Sequence, residues 1–355
     1  MTDITNQPFV RNAWYVAAWS EEIDEAPLAR TIMNEPIVMF RDADGNVGAM
    51  EDRCCHRAAP LSHGSVIEQG LQCVYHGLVF NGDGKCVKIP GQKTIPDQAN
   101  IQGYPLFEQH KIVWIWMGDP ALADESMIVG YPWHDQTDKW PHRKECYPIK
   151  CNYMLMIDNL MDLTHLGYLH TKTIGGEPMI HVDADTTVDR TETGVLLTRW
   201  MLDSNPPPTY QKGFGFKGKV DRWAEFEYFA PSTIVQWSGG LDVGKGAREN
   251  REQDGFHLRL LHAVTPETET TCFYFWSTAN GHRQDEPQAT EDMYNEIVAT
   301  FIEDIDILEA QQSRIDLNPD RPLVSIYSDG AMTYARRALR EMIDGDDAEV
   351  ASAAE

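Results

Sequence analysis

Two short segments constrain this chain more than any other feature: Cys54-Cys55-His56-Arg57 and, a short way on, Cys73-Val74-Tyr75-His76. The pattern is C-x-H followed by C-x-x-H. Each half lies beside a strand candidate, so two tight loops can converge on one site. Two thiolates and two imidazoles can hold a 2Fe–2S cluster, with both cysteines on one iron and both histidines on the other. Imidazole in place of thiolate raises the reduction potential of such a cluster. A Cys2His2 zinc site is the other reading, although zinc fingers usually place both cysteines before both histidines. Cys55 is expected to point away from the metal. Cys86, Cys146, Cys151 and Cys272 are expected to be small buried hydrophobes. Seven cysteines in this spacing do not make a secreted disulfide framework.

A second constellation lies in residues 151–170, CNYMLMIDNLMDLTHLGYLH. This stretch reads as a helix that is apolar nearly all round, and hence buried. Asn159, Asp162, His165 and His170 interrupt it, with Asp158 a further outlier. Buried polar groups must be hydrogen-bonded, paired or metal-bound. One buried histidine is most often a satisfied core residue; two beside an aspartate favour a metal. His165 and His170 are too far apart for one face of a regular helix, so the helix is expected to open or end near Gly167. Two histidines and one carboxylate with open positions form the facial triad of non-haem Fe(II) oxygenases. The carboxylate must come from elsewhere. Glu291 to Arg314 reads as a long amphipathic helix with Met293, Ile297, Phe301, Ile305 and Leu308 on its core stripe. Asp304 borders that stripe and Asp306 lies opposite, so Asp304 is the expected ligand.

The rest of the chain supports two domains. Its 355 residues exceed one typical domain. Residues 1–118 read as strands and turns, with Asp44-Gly45 a hairpin signal between Ile37–Phe40 and Val47–Met50. Residues 119–343 add strand candidates at Val195–Met201, Trp223–Ala230, His257–Val264 and Thr271–Ser277 before the long helix. This is an α+β pattern, an antiparallel sheet closed by a helix. Residues 344–355 read as an acidic tail that frays. The net charge of −25 disfavours nucleic acid as a partner. No apolar run suits a membrane span, and the polar N-terminus does not read as a signal peptide, so a cytoplasmic protein is expected. No dinucleotide fingerprint is evident, so NAD(P)H oxidation is expected to fall to a separate reductase.

The Cys54/His56 and Cys73/His76 pair, with Arg57 and Gly77 following, resembles the Rieske motif. Asn159, Asp162, His165 and His170 match the N-x-x-D-x-x-H-x-x-x-x-H motif of the Rieske non-haem iron oxygenases. Arg11–Val16, Met156–His165 and Thr265–Thr268 make the chain similar to the vanillate and dicamba O-demethylase and toluenesulfonate methyl-monooxygenase branch. The resemblance implies a Rieske domain followed by a helix-grip catalytic domain, and a third iron ligand after a glutamate, which again points to Asp304 after Glu303. It implies a homotrimer in which Asp162 bridges the two centres by hydrogen-bonding His76 and His165, with Asn159 supporting the site. It also implies His262 as a substrate contact, although a lone strand histidine can equally be structural. The expected chemistry is O2-dependent monooxygenation or O-demethylation of a small aromatic substrate, an aromatic acid by expectation, with electrons from a reductase or ferredoxin. Ring dihydroxylation is the alternative within the family. A non-catalytic electron carrier would need only the first motif.

Overall fold

The computed structural model describes residues 9–252 and 255–353. Two compact units result, one of residues 9–130 with 265–268, the other built from the described residues of 131–264 and 269–353. The boundary falls at Gly130 rather than at residue 118. The reason is visible at the ends of the intervening segment: Trp14 Nε1 donates to the Asp124 carbonyl at 2.8 Å, and Asp119 N–H to Asn12 Oδ1 at 2.9 Å. Residues 119–130 are thereby tied to the first strand. The Thr265–Thr268 segment likewise belongs to the first unit, where Thr265 Oγ1 donates to the Val16 carbonyl at 2.6 Å.

The first unit is all-β. Strands β1 (Ala13–Trp19), β2 (Leu28–Ile32), β3 (Glu35–Arg41), β4 (Val47–Glu51), β5 (Ser65–Ile67), β6 (Gly70–Gln72), β7 (Val79–Phe80), β8 (Cys86–Lys88), β9 (Leu106–Gln109) and β10 (Ile112–Met117) form three small sheets, β1-β10-β9, β2-β3-β4 and β5-β6-β7-β8. Asp44-Gly45 turns β3 into β4, with Gly45 at φ +88°. A core of Val38, Phe40, Met50, Leu61, Leu71 and Phe80 packs beneath the two cysteine loops.

The second unit is built on a seven-stranded antiparallel sheet. Its strands are β11 (His142–Ile149), β12 (Asp185–Arg190), β13 (Gly194–Ser204), β14 (Val220–Phe229), β15 (Thr233–Asp242), β16 (Phe256–Thr268) and β17 (Thr271–Asn280), in the order β11-β17-β16-β15-β14-β13-β12. Helices α1 (Tyr153–Met161) and α2 (Leu166–Leu169) follow β11; the short α3 (Pro178–Val182), α4 (Pro208–Phe214) and α5 (Ala247–Asn250) lie in connections. The long α6 (Pro287–Leu317) and the final α7 (Gly330–Ala353) complete the unit. Alternation along β14 turns Arg222, Ala224, Phe226 and Tyr228 inward while Glu225 and Glu227 are only half-buried. Helix α6 lays Met293, Ile297, Phe301, Asp304 and Leu308 on the core, and Phe301 stacks edge-on against Trp276 at 5.0 Å. Ile305 is only half-buried; the inward place at that turn is Asp304's. Residues 344–353 of the expected tail form the end of helix α7, and residues 354–355 lie outside the described residues. One further expectation is corrected. Residues 151–170 are not one helix broken near Gly167; the break comes at Asp162, whose backbone is extended.

Candidate active site

Each cysteine loop of the first unit closes in the same way. The Cys54 carbonyl accepts from Ala58 N–H at 2.9 Å, and Cys54 N–H donates to the Ala59 carbonyl at 2.9 Å. In the other loop the Cys73 carbonyl accepts from Gly77 N–H at 3.0 Å, and Cys73 N–H donates to the Leu78 carbonyl at 2.8 Å. Ala58 and Gly77 both take positive φ, 56° and 73°, the conformation that reverses each loop and that glycine adopts most cheaply. Cys54 and Cys73 are buried at the loop bases, and the two imidazoles are exposed at the tips with ring centroids 4.5 Å apart. Burial pushes the Cys54 thiol up to about 11, so an electropositive group is needed to hold it as thiolate. Among the described residues, one set of metal-ligating side chains brings its ligand atoms within 4.8 Å of one another, and it is not this one. Four ligands spread in this way, with thiols inside and imidazoles outside, suit a two-iron cluster better than one tetrahedral ion. Cys55 is exposed, as is Arg57; Cys86, Cys151 and Cys272 are buried, whereas Cys146 is only half-buried, on an edge strand.

The set that does close is His165, His170 and Asp304. Asn152 caps α1 by accepting from Met154 N–H, and the helix runs to Met161. Asp162 then caps a single 3-10 turn, Leu163–His165, its Oδ1 accepting from Thr164 N–H at 2.9 Å and Thr164 Oγ1 at 2.7 Å. This change of winding brings two histidines five residues apart to one place, their ring centroids 5.2 Å apart. Asp304 Oδ1 lies 3.1 Å from His170 Nε2 and 3.5 Å from His165 Nε2, and accepts from Asn159 Nδ2 at 3.0 Å. Asp306 faces solvent.

The hydrogen bonds behind these side chains fix what they can bind. His165 Nδ1 donates to the Asp162 main-chain carbonyl at 2.6 Å, and His170 Nδ1 pairs with Glu303 Oε2 at 2.8 Å. With both Nδ1 atoms committed as donors, the neutral rings turn Nε2 lone pairs toward the Asp304 carboxylate. Acceptors facing acceptors in a buried site require a cation among them, and a 2-His-1-carboxylate set fits Fe(II). Without such a cation protons take its place: burial raises the Asp304 carboxyl, but hydrogen bonds from His165 and His170 protonated at Nε2 outweigh it and hold it down at about 2. Burial lowers His170, and its bonds to Asp304 and Glu303 outweigh that and raise it.

Asp162 departs from expectation in two respects. It is half-buried, not buried, and within the chain it reaches His165 through its main chain, while its carboxylate is engaged by Thr164. His262 is fully buried on β16, with Nδ1 2.6 Å from Tyr274 Oη and Nε2 2.8 Å from Gln236 Oε1; Gln236 in turn donates to Ser238 Oγ at 2.6 Å. Burial holds it near 3, so the ring is neutral. His165, Asp304 and His262 line one largely apolar cavity of about 100 Å³ within the second unit, walled by Leu258, Ile297 and Phe301 among others. That is room for one aromatic ring, of the order of the ~150 Å³ apolar cavity that accepts benzene. Sequence reasoning missed Gln236, Tyr274 and Arg222, a buried arginine on the same cavity. The signal for Arg222 was available, since it occupies the inward register of β14.

A Rieske [2Fe-2S] domain model matches residues 13–105, and the vanillate O-demethylase oxygenase C-terminal domain model matches residues 149–345. This chain belongs to the Rieske non-haem iron oxygenases. It is 39% identical to the iron-sulfur subunit TsaM1 of the toluene-4-sulfonate monooxygenase system of Comamonas testosteroni, across 95% of this chain and 98% of that one. It is 35% identical to the vanillate O-demethylase oxygenase subunit of a Pseudomonas species, across 94% and 95%. The crystal structure of dicamba monooxygenase bound to 3,6-dichlorosalicylic acid superposes with a TM-score of 0.89 at 32% identity, covering 96% of this chain and all of that one. This Rieske oxygenase is therefore the terminal component of a multicomponent system, with a Rieske cluster and a mononuclear iron as cofactors and electrons supplied by a reductase. Among the described residues no helix is long and apolar enough to cross a membrane.

Proposed function

We propose that this oxygenase hydroxylates a methyl or methoxy group on a small aromatic acid. The single-ring cavity that His165 and Asp304 share with His262 carries this reading, supported by relatives named for toluene-4-sulfonate, vanillate and dicamba. Cys54, His56, Cys73 and His76 would hold the cluster, and His165, His170 and Asp304 the iron. When bound, the cluster passes single electrons and the iron activates O2. Asn159 orients the Asp304 carboxylate, while Glu303 and the Asp162 carbonyl fix the two imidazole tautomers. The apolar wall excludes water from the reacting carbon. A methyl group would become a hydroxymethyl group, still attached to the ring. A methoxy group would become a hemiacetal that collapses to a phenol and formaldehyde. Each turnover takes up one O2, two electrons and two protons and releases one water.

In this reading three copies form a ring, and the cluster tip of one faces Asp162 of the next. The tip exposes Val74, Tyr75 and His76, and Asp162 is only half-buried, so both remain available for such a contact. Its carboxylate would then link a cluster histidine to the iron-binding turn. The test is a screen of methyl- and methoxy-substituted benzoates and benzenesulfonates with a surrogate reductase, measuring O2 uptake, formaldehyde and product. Coupled uptake on at least one substrate is expected. A cis-diol product with none oxidised at a methyl or methoxy carbon would replace this reading with ring dihydroxylation.

A further inference from the structure

Arg222 is buried to 2% exposure in the inward register of β14 and lines the cavity that also holds His165 and Asp304. Its only hydrogen bond among the described residues runs from Nη1 to the Ile174 carbonyl, at a long 3.4 Å. Nε and Nη2 are buried with no acceptor among the described residues. The ring of Tyr210 lies 5.3 Å from the guanidinium carbon, and no carboxylate of the described residues pairs with it. A guanidinium cannot shed its charge at ordinary pH, and leaving a buried charge unpaired is costly. Its neighbour Arg199 shows the contrast. Arg199 donates from Nη1 to the Leu163 carbonyl and from Nη2 to the His181 carbonyl, so both of those nitrogens are satisfied by the chain.

Met201 and Gly240 flank Arg222 on the neighbouring strands, and the ring of Tyr210 fills the space over Gly240, so an oxyanion would reach Nε and Nη2 by displacing that ring. Arg199 and His181 both feel the field of Arg222, so this end of the cavity is electropositive in a chain of net charge −25. Arginine presents a planar fork of N–H donors that matches an oxyanion in two parallel bonds. The two free donors, Nε and Nη2, are the pair that makes such a fork.

We propose that Arg222 recognises an oxyanion, carboxylate or sulfonate, on the aromatic substrate and so selects acids over neutral arenes. This rests on the proposed oxidation of a small aromatic acid and names the residue that would select for the acid group.

Calorimetry on the metal-loaded, anaerobic enzyme tests it with 4-methylbenzoate, 4-methylbenzenesulfonate and their uncharged amides. Wild type should bind an anion at least about 30-fold more tightly than its amide, and the tighter of the two anions identifies the preferred group. Arg222→Met should weaken the anion by about 100-fold and the amides by less than about 3-fold. Arg222→Lys should restore part of the anion affinity, less for the planar carboxylate than for the sulfonate. Without ligand, Arg222→Met should melt no lower than wild type, because it removes an unpaired buried charge. A wild type with no preference for anions, including one that binds none, overturns the assignment. So does an Arg222→Met that keeps its anion affinity within about 3-fold. A variant that loses anion and amide equally and melts lower would make Arg222 a structural tie to Ile174, which also overturns it. Oxidation of neutral methylarenes alone would leave the oxygenase reading standing without this assignment. Anion binding through Arg222 with no oxygen transfer to any arene would do the reverse.

Discussion

Asp162 works with both of its ends. Its main-chain carbonyl holds His165 Nδ1 at 2.6 Å, and its carboxylate caps the turn that presents His165. The two duties make Asp162→Asn the informative change, because asparagine caps a helix about as well as aspartate. The turn, and with it the iron site, should survive. What is lost is the anionic acceptor proposed to face a cluster histidine of a neighbouring copy. The variant should retain both metals and normal cluster reduction while turnover falls by roughly 10–100-fold. Single-turnover reoxidation of the cluster, coupled to product at the wild-type rate, would remove the bridging role; loss of iron would make Asp162 a structural prop of the site. The two aspartates of α6 give a simpler contrast. Asp304→Ala should lose mononuclear iron while keeping the visible spectrum of the cluster, and the solvent-facing Asp306→Ala should match wild type in iron content.

Helix α1 carries the iron-site turn at its C-terminal end and is anchored from behind. Asp158, which reads from sequence only as an outlier in an apolar helix, accepts from Arg336 Nε of α7 at 2.9 Å and pairs a second time with Nη2. Both side chains are close to nine-tenths buried. Removing the Asp158 carboxylate takes away the paired charge of Arg336 and leaves Asp329 as its more distant acidic neighbour; breaking a buried pair in this way costs about 3–5 kcal/mol. Asp158→Ala should therefore lower the unfolding midpoint by an amount of that order in urea titration. The pair of changes Asp158→Leu with Arg336→Met should recover most of the loss. A midpoint unchanged in Asp158→Ala would mean that α7 does not brace α1. At the same scale, α6 gives the site both of its carboxylates on successive residues, Glu303 toward His170 Nδ1 and Asp304 toward the Nε2 atoms. One helix thus sets both the proposed ligand and the tautomer.

For the whole molecule, buried neutral histidines set an acid limit. Burial holds His262 near 3 and His181 near 4, against an ordinary 6.5. Below 6.5 the unfolded chain takes up protons on these residues and the folded chain does not. Their contribution to stability is thus complete above pH 6.5 and is lost as pH falls from there toward their folded values. Each should cost about 2 kcal/mol by pH 5, at about 1.4 kcal/mol per unit. Asp304, held near 2, contributes no loss until pH falls below the ordinary carboxylate range. His170 is shifted upward and acts in the opposite direction, so the comparison needed is between variants. The urea midpoint should fall between pH 7.5 and 5.0 in wild type and fall less in the double variant His181→Gln, His262→Gln. An equal fall in both would show that other groups control acid unfolding.

The two motifs proposed to bind metal were legible in the sequence alone, because metal chemistry demands particular residue types at short spacing and such spacing survives any fold. The sequence also separated Asp304 from Asp306, since helical periodicity on α6 is a local property that the apolar stripe reports. It did not determine where the units divide, because residues 119–130 and 265–268 join the first unit through long-range bonds to Asn12, Trp14 and Val16. It missed β15, which carries Gly239-Gly240; the structure needs Gly239 because a Cβ there would come within 2.0 Å of the Trp223 ring. It placed the helix break at Gly167, when the deciding event is the side-chain cap made by Asp162. It named His262 but not Gln236 and Tyr274, which hold both of its ring nitrogens from neighbouring strands. Arg222 is the clearest case. Its inward register could be read along β14, but an arginine's meaning depends on whether an acceptor meets it, and only the packed sheet shows Nε and Nη2 left without one.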